Sequence, residues 1–252
     1  MAYCDLHNHL LPDIDDGSPG MEETLRHLRA FAAAGVDPLV FTPHLLVPHL
    51  SSEGLSRELE RHRQRFEEVL SAAAVESDVP RLFLGQEILS PSADDIERVV
   101  ARDDVGLGGG PALLVEFGFQ PAYDAESVIR RIVAEGRVPV IAHPERYRFG
   151  GLDPVETITR WRDRGALLQV NGGSLAGLHR GRSQEIACRM LAEGLIDMIA
   201  SDHHGDDRNH RPEMIRDVVE RVGEPGLADR LWGRGARAVL DEVLEREHAA
   251  AA

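Results

Sequence analysis

Lysine is absent from all 252 residues, so every basic side chain other than histidine is an arginine. Any chemistry that needs a lysine amine is thereby removed. Cysteine is nearly absent too: Cys4 and Cys188 lie far apart with no CxxC pair, which supports neither a disulfide framework nor a zinc-finger pattern. Both read as buried small hydrophobes. A cysteine-based phosphatase needs an arginine six positions after its nucleophile, and those positions hold Leu10 and Gly194. No apolar run approaches the roughly 20 residues of a membrane span, and the first residues lack the basic-then-apolar design of a signal peptide. A cytoplasmic protein without membrane insertion is expected. No GxGxxG or Walker sequence follows the first apolar run, which disfavours a nucleotide-binding open sheet. No low-complexity linker divides the chain, so one domain over 1–252 is expected, with a frayed tail at about 247–252. The balance of 28 basic against 43 acidic residues gives a net charge of −15, which argues against a nucleic-acid partner while leaving room for a local basic pocket.

What the chain does contain is a repeated unit: an amphipathic helical run, a glycine, then a short β-rich run. It occurs around Gly35, Gly136, Gly165 and Gly194. The glycine suits a left-handed helix cap, and the apolar run after it suits a strand buried on both faces. Ser18-Pro19 and Asp153-Pro154 read as helix N-caps followed by a first-turn proline, and Asp153 with Glu156 resembles a capping box. Met21, Leu25, Leu28 and Ala32 form one apolar helical stripe, and Leu55, Leu59, Phe66 and Leu70 another. From Glu213 onward the chain reads as helical, with Trp232, Val239 and Val243 as packing residues. Strands are expected near Tyr3–Leu6, Leu39–Thr42, Leu82–Gln86, Ala112–Glu116, Val138–Ala142, Leu167–Val170 and Ile196–Ser201. Alternation with helices implies parallel pairing and right-handed crossovers, and this number of units favours a closed α/β barrel.

The residues after each strand carry the chemistry. His7 and His9 follow the first, with Asp15 and Asp16 a turn later; in a strand, positions i and i+2 share a side, so the two imidazoles can face one cation. His44 follows the second strand, Glu87 the third, Glu116 closes the fourth, and His143 with Arg146 follows the fifth. Gln169-Val170-Asn171 ends the sixth, and Asp202-His203-His204 ends the seventh. Each alone reads more simply as a loop or core polar residue. Together they arrive at one rim, because all strand C-termini of a parallel β/α barrel converge there. A histidine and carboxylate set without thiolate suits Mn, Fe or Zn in a hydrolytic cluster rather than structural zinc. Such clusters activate water and neutralise phosphoryl charge. The arginines flanking them, Arg146, Arg208 and Arg211, suit phosphate through the guanidinium fork.

The motifs DLHNHLLPDIDDG, TPH, GQE, VEF, AHPERY, QVNGGSLAG and ASDHH, in this order, resemble the PHP (polymerase and histidinol phosphatase) superfamily. Within it they are most similar to bacterial manganese-dependent protein-tyrosine phosphatases associated with capsule and exopolysaccharide synthesis. The resemblance runs from about Tyr3 to about Met214. It implies a distorted (β/α)7 TIM-like barrel holding two to three divalent ions, Mn first, with Fe, Zn or Mg as alternatives. By motif, His7, His9, Glu87 and Asp202 would hold one ion. Glu87, Glu116 and His143 would hold a second, and Asp16, His44 and His204 a third. Asp15 is then a bystander. Arg146 matches the phosphate-binding arginine. Arg211, followed by Pro212 and Met214, fits the second such position, with Arg208 as competitor. The general acid stays open among Asp206, Asp207 and His203. The expected reaction is hydrolysis of phosphotyrosine on a protein partner, a bacterial tyrosine kinase. A histidinol-phosphatase-like phosphoesterase is the alternative, and a non-catalytic binding module ranks below both because every ligand position is filled. The amidohydrolase barrels also begin with HxH, but many of them bridge metals through a carbamylated lysine, which this chain cannot supply.

Overall fold

A computed structural model describes residues 2–118, 124–179, 181–205, 216–217, 219, 221 and 225–251. Among the described residues nine strands occupy seven barrel positions, because two positions are each built from two short strands. In chain order they are β1 (Tyr3–Asp5), β2 (Val36–Phe41), β3 (His44–Leu46), β4 (Leu82–Leu84), β5 (Glu87–Leu89), β6 (Ala112–Glu116), β7 (Val138–Ala142), β8 (Leu167–Asn171) and β9 (Met198–Ala200). All pairings are parallel, in the orders β1-β2-β4 and β3-β5-β6-β7-β8-β9. The expected second and third strands each break at the rim. Pro43 has no N–H to continue a ladder, and after it β3 restarts beside β5 with His44 opposite Glu87. The break brings two expected ligands shoulder to shoulder.

The last and first positions meet without a full ladder. An isolated parallel bridge links Asn8 and His203, where Asp202 N donates to His7 O at 2.8 Å and His9 N to His203 O at 2.8 Å. Below it the Asp5 carboxylate takes over the pairing, accepting from Ser201 N at 2.7 Å and Ser201 Oγ at 2.8 Å. The barrel is therefore of the distorted (β/α)7 TIM-like kind.

Helices α1 (Met21–Ala33), α2 (Ser52–Ala73), α3 (Ala93–Glu97), α4 (Ala125–Ala134), α5 (Pro154–Asp163), α6 (Gly172–Leu175) and α7 (Arg182–Ala192) connect the strands. Gly35, Gly136, Gly165 and Gly194 close their helices at φ between 65° and 96°, a region that costs a side chain but not glycine. Asp153 caps α5, its Oδ1 accepting from Val155 N and Glu156 N at 2.9 and 3.0 Å. The other expected cap differs: α1 starts at Met21 after Gly20, leaving Ser18 to bond Gly20 O and Thr24. In α2 the buried face runs through Leu55, Leu59, His62, Val69 and Ala73, whereas Leu70 is exposed.

Period-two alternation divides the apolar residues of the strands. Leu113, Val115, Ile141 and Leu168 pack outward with Ile129, Ile158 and Met190 of the helices. Cys4, Leu6, Ala112, Leu114, Val140 and Met198 join Leu240, Val243 and Leu244 in a second cluster, so the C-terminal segment plugs the barrel's N-terminal end. Trp232 is fully buried in the first cluster, stacked on Tyr3 at 5.0 Å between ring centroids. The final helix runs from Asp241 to Ala251 and covers the segment expected to fray. Cys4 is buried, whereas Cys188 is exposed, unlike the expectation for it.

Candidate metal centre

The rim at the strand C-termini gathers His7, His9, Asp16, His44, Glu87, Glu116, His143, Asp202 and His204. His7 Nε2 and His9 Nε2 lie 3.3 Å apart. Glu87 Oε1 is 3.3 Å from His7 Nε2, Glu87 Oε2 is 3.4 Å from His9 Nε2, and Asp202 Oδ1 is 3.5 Å from both. His7, His9, Glu87 and Asp202 are almost wholly shielded from solvent. On the outer side, Asp16 Oδ1 faces His44 Nε2 at 3.4 Å and His204 Nε2 at 3.5 Å; its carboxylate is 48% exposed, so this side of the cluster is open to solvent.

Local backbone features aim these groups. His143 and Asp202 leave their strands at φ 34° and 51°, the sparsely populated left-handed region for residues with a Cβ. Gly17 closes the first loop against the backbone of His9: a Cβ there would lie 1.7 Å from the His9 carbonyl oxygen, which also accepts from Ser18 N at 3.0 Å. Asp15 is no bystander. Its Oδ2 accepts from His9 Nδ1 at 2.8 Å and from His44 N at 3.1 Å, which directs the bare His9 Nε2 to the centre. His204 is fixed similarly, since its Nδ1 can only donate to the Asp202 carbonyl at 2.9 Å.

The residues present fit a cation. With Nδ1 of His9 committed to Asp15, its Nε2 faces His7 Nε2 and a Glu87 oxygen. These three residues form a grouping that could hold an ion, with Asp202 Oδ1 beside both histidines. Donor atoms 3.3–3.5 Å apart are spaced like those sharing an ion at about 2.0–2.2 Å. His44 Nδ1 and Glu87 Oε2 approach to 2.8 Å, yet both are buried and neither is aligned for a hydrogen bond. His143 Nε2 meets Glu87 Oε1 at 2.9 Å, while His143 Nδ1 is buried with no hydrogen-bond partner among the described residues.

Protons take up the strain of this acceptor crowd. Burial would lower the His9 pKa, but the Asp15, Asp202 and Glu87 carboxylates hold it well above the usual imidazole range. His7 is raised for the same reason, by Glu87 and Asp202 against burial. Burial also disfavours charge on His44, yet Asp16 and Glu87 push it up to about 10. Burial would raise Glu87 and Asp202, and the surrounding imidazoles hold both well below the carboxylate range. Glu116 moves the other way, raised by burial and by Glu87. Burial pushes the Cys4 thiol up, leaving it no nucleophile.

Among the described residues three candidate groupings emerge: His9, Asp16, His44 and His204; His7, His9 and Glu87; and His44, Glu87 and Glu116. They differ from the expected sets in three places, the first being that Asp202 is not grouped with His7, His9 and Glu87. His9 also faces the Asp16 group, and His44 rather than His143 stands with Glu87 and Glu116, its Nδ1 4.0 Å from Glu116 Oε1. Arg146 Nη1 donates to Asp202 Oδ2 at 2.6 Å, which places the guanidinium at the edge of the cluster. His203 is turned toward α1, with its Nε2 3.1 Å from His27 Nδ1 and its ring edge-on to Phe31. Asp206, Asp207, Arg208 and Arg211 lie outside the described residues. The residues that sequence reasoning missed are the supports: Asp15, Gln169, Asn171 and Glu145. Their one signal was position, since Gln169 and Asn171 stand two apart at a strand exit. Glu145 within AHPERY is buried, accepting from Asn171 N at 3.0 Å and Ser174 Oγ at 2.7 Å.

The model of the capsular polysaccharide synthesis family CpsB/CapC matches residues 3–241 of this chain. The chain belongs to that family. Tyrosine-protein phosphatase YwqE of Bacillus subtilis is 29% identical over 222 residues, covering 86% of this chain and 84% of that protein. Tyrosine-protein phosphatase CpsB of Streptococcus agalactiae serotype V is 26% identical over 246 residues, covering 94% and 97%. A solved structure from work on YwqE and Streptococcus pneumoniae CpsB, described as unique metal-dependent tyrosine phosphatases, superposes with a TM-score of 0.71 at 27% identity, over 89% of each chain. A histidinol phosphate phosphatase of Lactococcus lactis, solved with zinc, L-histidinol and phosphate, superposes at 0.52 with 12% identity over 88% and 94% of the two chains; it supports the fold alone. For this CpsB/CapC member, no helix among the described residues is long and apolar enough to cross a membrane.

Proposed function

We propose that this chain is a cytoplasmic, metal-dependent phosphomonoester hydrolase, one barrel domain over 1–252, that removes phosphate from tyrosine on a protein substrate, a bacterial tyrosine kinase that controls polysaccharide synthesis. One observation carries the chemistry: the buried Nε2 atoms of His7 and His9 lie 3.3 Å apart and 3.3–3.5 Å from oxygens of Glu87 and Asp202. The tyrosine substrate rests on relatives named for that activity. His7, His9, Asp16, His44, Glu87, Glu116, His143, Asp202 and His204 would hold two to three divalent ions, Mn first. When bound, such ions lower the pKa of water and offset charge on the phosphoryl group.

The protein's own part is positioning and charge. Asp16 and His44 form the open side, through which a phosphate ester reaches the buried pole. Arg146 stands at the edge of the cluster and can turn its fork from Asp202 to a phosphate oxygen. Arg211, or Arg208 in its place, supplies the second guanidinium. A phenol leaving group has a pKa of about 10, so it needs less protonation than an alkoxide. That lightens the demand on a general acid, for which Asp206 and Asp207 are the candidates. His203 is set aside because its ring packs on His27 and Phe31. The test compares kcat/KM for a phosphotyrosine peptide and for histidinol phosphate with Mn²⁺ present. A preference for the peptide is expected; a preference for histidinol phosphate would overturn the substrate assignment, and full activity after EDTA would overturn the metal.

A further inference from the structure

Among the candidate ligand histidines, His7 differs from His9 and His204, whose Nδ1 is also held. His9 donates to a carboxylate and His204 to a carbonyl, both of which can only accept. His7 Nδ1 instead meets the side-chain amide of Gln169, at 2.8 Å from Oε1. An amide can present either its oxygen or its NH₂, so Gln169 alone cannot decide which nitrogen of His7 keeps the proton. The decision must come from further along.

Gln169 Nε2 donates to Asn171 Oδ1 at 2.9 Å, and Asn171 Nδ2 donates to Asp202 Oδ2 at 2.5 Å. Arg146 donates to the same oxygen at 2.6 Å, which keeps that carboxylate charged and acceptor-only. Every direction then follows. Facing a carboxylate, Asn171 must present its NH₂, so its oxygen faces Gln169. Gln169 must in turn present NH₂ to Asn171 and its oxygen to His7. His7 Nδ1 must therefore donate, which makes Nε2, beside Glu87 Oε1 and Asp202 Oδ1, the nitrogen available to an ion. Reversing the chain would require a proton on Asp202 Oδ2 and would move the His7 proton to Nε2, the nitrogen that would hold the ion. Gln169 and Asn171 are both fully buried, and their backbones are locked in register against Met198 and Ala200, so the two amides cannot swing out to water.

We propose that Gln169 and Asn171 are positioning residues forming a directional amide relay, by which the Asp202 charge sets the His7 tautomer that binds metal. The relay rests on the metal reading of the site. It makes His7 and Asp202, ligands from opposite sides of the barrel seam, a single unit.

The test titrates Mn²⁺ into metal-free wild type, Gln169→Met, Asn171→Leu and the double variant by calorimetry. Each single change is expected to weaken binding by about 10–100-fold, the usual cost of losing a partner behind a ligand. A serial relay is broken by either change, so the double variant should be no weaker than the weaker single. Losses that multiply would overturn the relay in favour of two independent packing roles, as would single variants that bind within about twofold of wild type. Should the variants fail to fold, ¹⁵N NMR of the wild type loaded with Zn²⁺ decides: His7 should carry its proton on Nδ1, with Nε2 bare, and the reverse would refute the relay. Wild type that binds neither Mn²⁺ nor Zn²⁺ would sink the metal reading itself, a different outcome from a bound ion with the wrong tautomer.

Discussion

Follow β6 along its inward face: Ala112 and Leu114 lie against Leu240 and Val243, and two residues later Glu116 faces the histidines. In β8, Leu167 packs partly into the same plug, while Gln169 and Asn171 reach the cluster. One alternation thus serves a dry end and a charged end. At the dry end stability comes from apolar area and shape, which tolerate exchange among similar side chains. At the charged end packing is polar and directional: His9, His7, Gln169 and Asn171 are committed as donors or acceptors. His44 Nδ1, Glu87 Oε2 and His143 Nδ1 are buried without a hydrogen bond among the described residues, so an exchange there alters charge or pairing rather than area. The two ends should therefore respond differently to the same kind of truncation.

The largest effect is expected at the charged end. His7→Ala removes one acceptor from the buried pole and should lower Mn²⁺-dependent hydrolysis of p-nitrophenyl phosphate by about a thousandfold or more, the several kcal/mol that an ion supplies at about 1.4 kcal/mol per tenfold. Retention of wild-type rate would end the metal assignment. At the dry end, Leu240→Ala empties a fully buried position and should cost about 2–5 kcal/mol in urea unfolding, while the surviving folded protein keeps wild-type Mn²⁺ affinity. A matching loss of affinity would show that the ends are coupled.

Acidity separates the ends again. His44, pushed up to about 10 by Asp16 and Glu87 against burial, contributes stability that is fully present below its unfolded pKa of about 6.5. That contribution is lost as pH rises through about 10. The melting temperature of EDTA-stripped protein should fall across this window, and bound Mn²⁺ should flatten the fall, because the ion replaces the protons between the same acceptors. Equal slopes with and without Mn²⁺ would contradict the substitution. The smallest effect belongs to neither end. Arg57→Ala on α2 breaks an ion pair with Glu53 that is exposed on both sides, and should shift unfolding by less than about 0.5 kcal/mol.

Much of the charged end was legible because strand exits in a parallel barrel share one rim, so residue type at each exit sufficed to find His7, His9, His44, Glu87, Glu116, His143 and Asp202. The glycine caps and the Asp153 cap were legible for a similar reason: each depends on a local φ or on a bond three residues away. Ser18 was misread because a cap motif says nothing about the loop's other obligations, here the closure of Gly17 and Ser18 on His9. His203 could not be told from His204 by type; only the packing of α1 turned one ring to His27 and left the other facing Asp16.

The sequence by itself determined the barrel class, the rim and the inventory of ligand types, since periodicity and chain order are properties of a line. Tertiary structure alone decided how that inventory is shared. His44 stands by Glu87 because the second and third barrel positions break and restart in register, and Asp15 holds His9 because the loop folds back over it. The two amides of β8 point one way because a carboxylate 31 residues further along the chain can only accept. Hydrogen-bond direction is fixed by the partner across space, which chain order does not record.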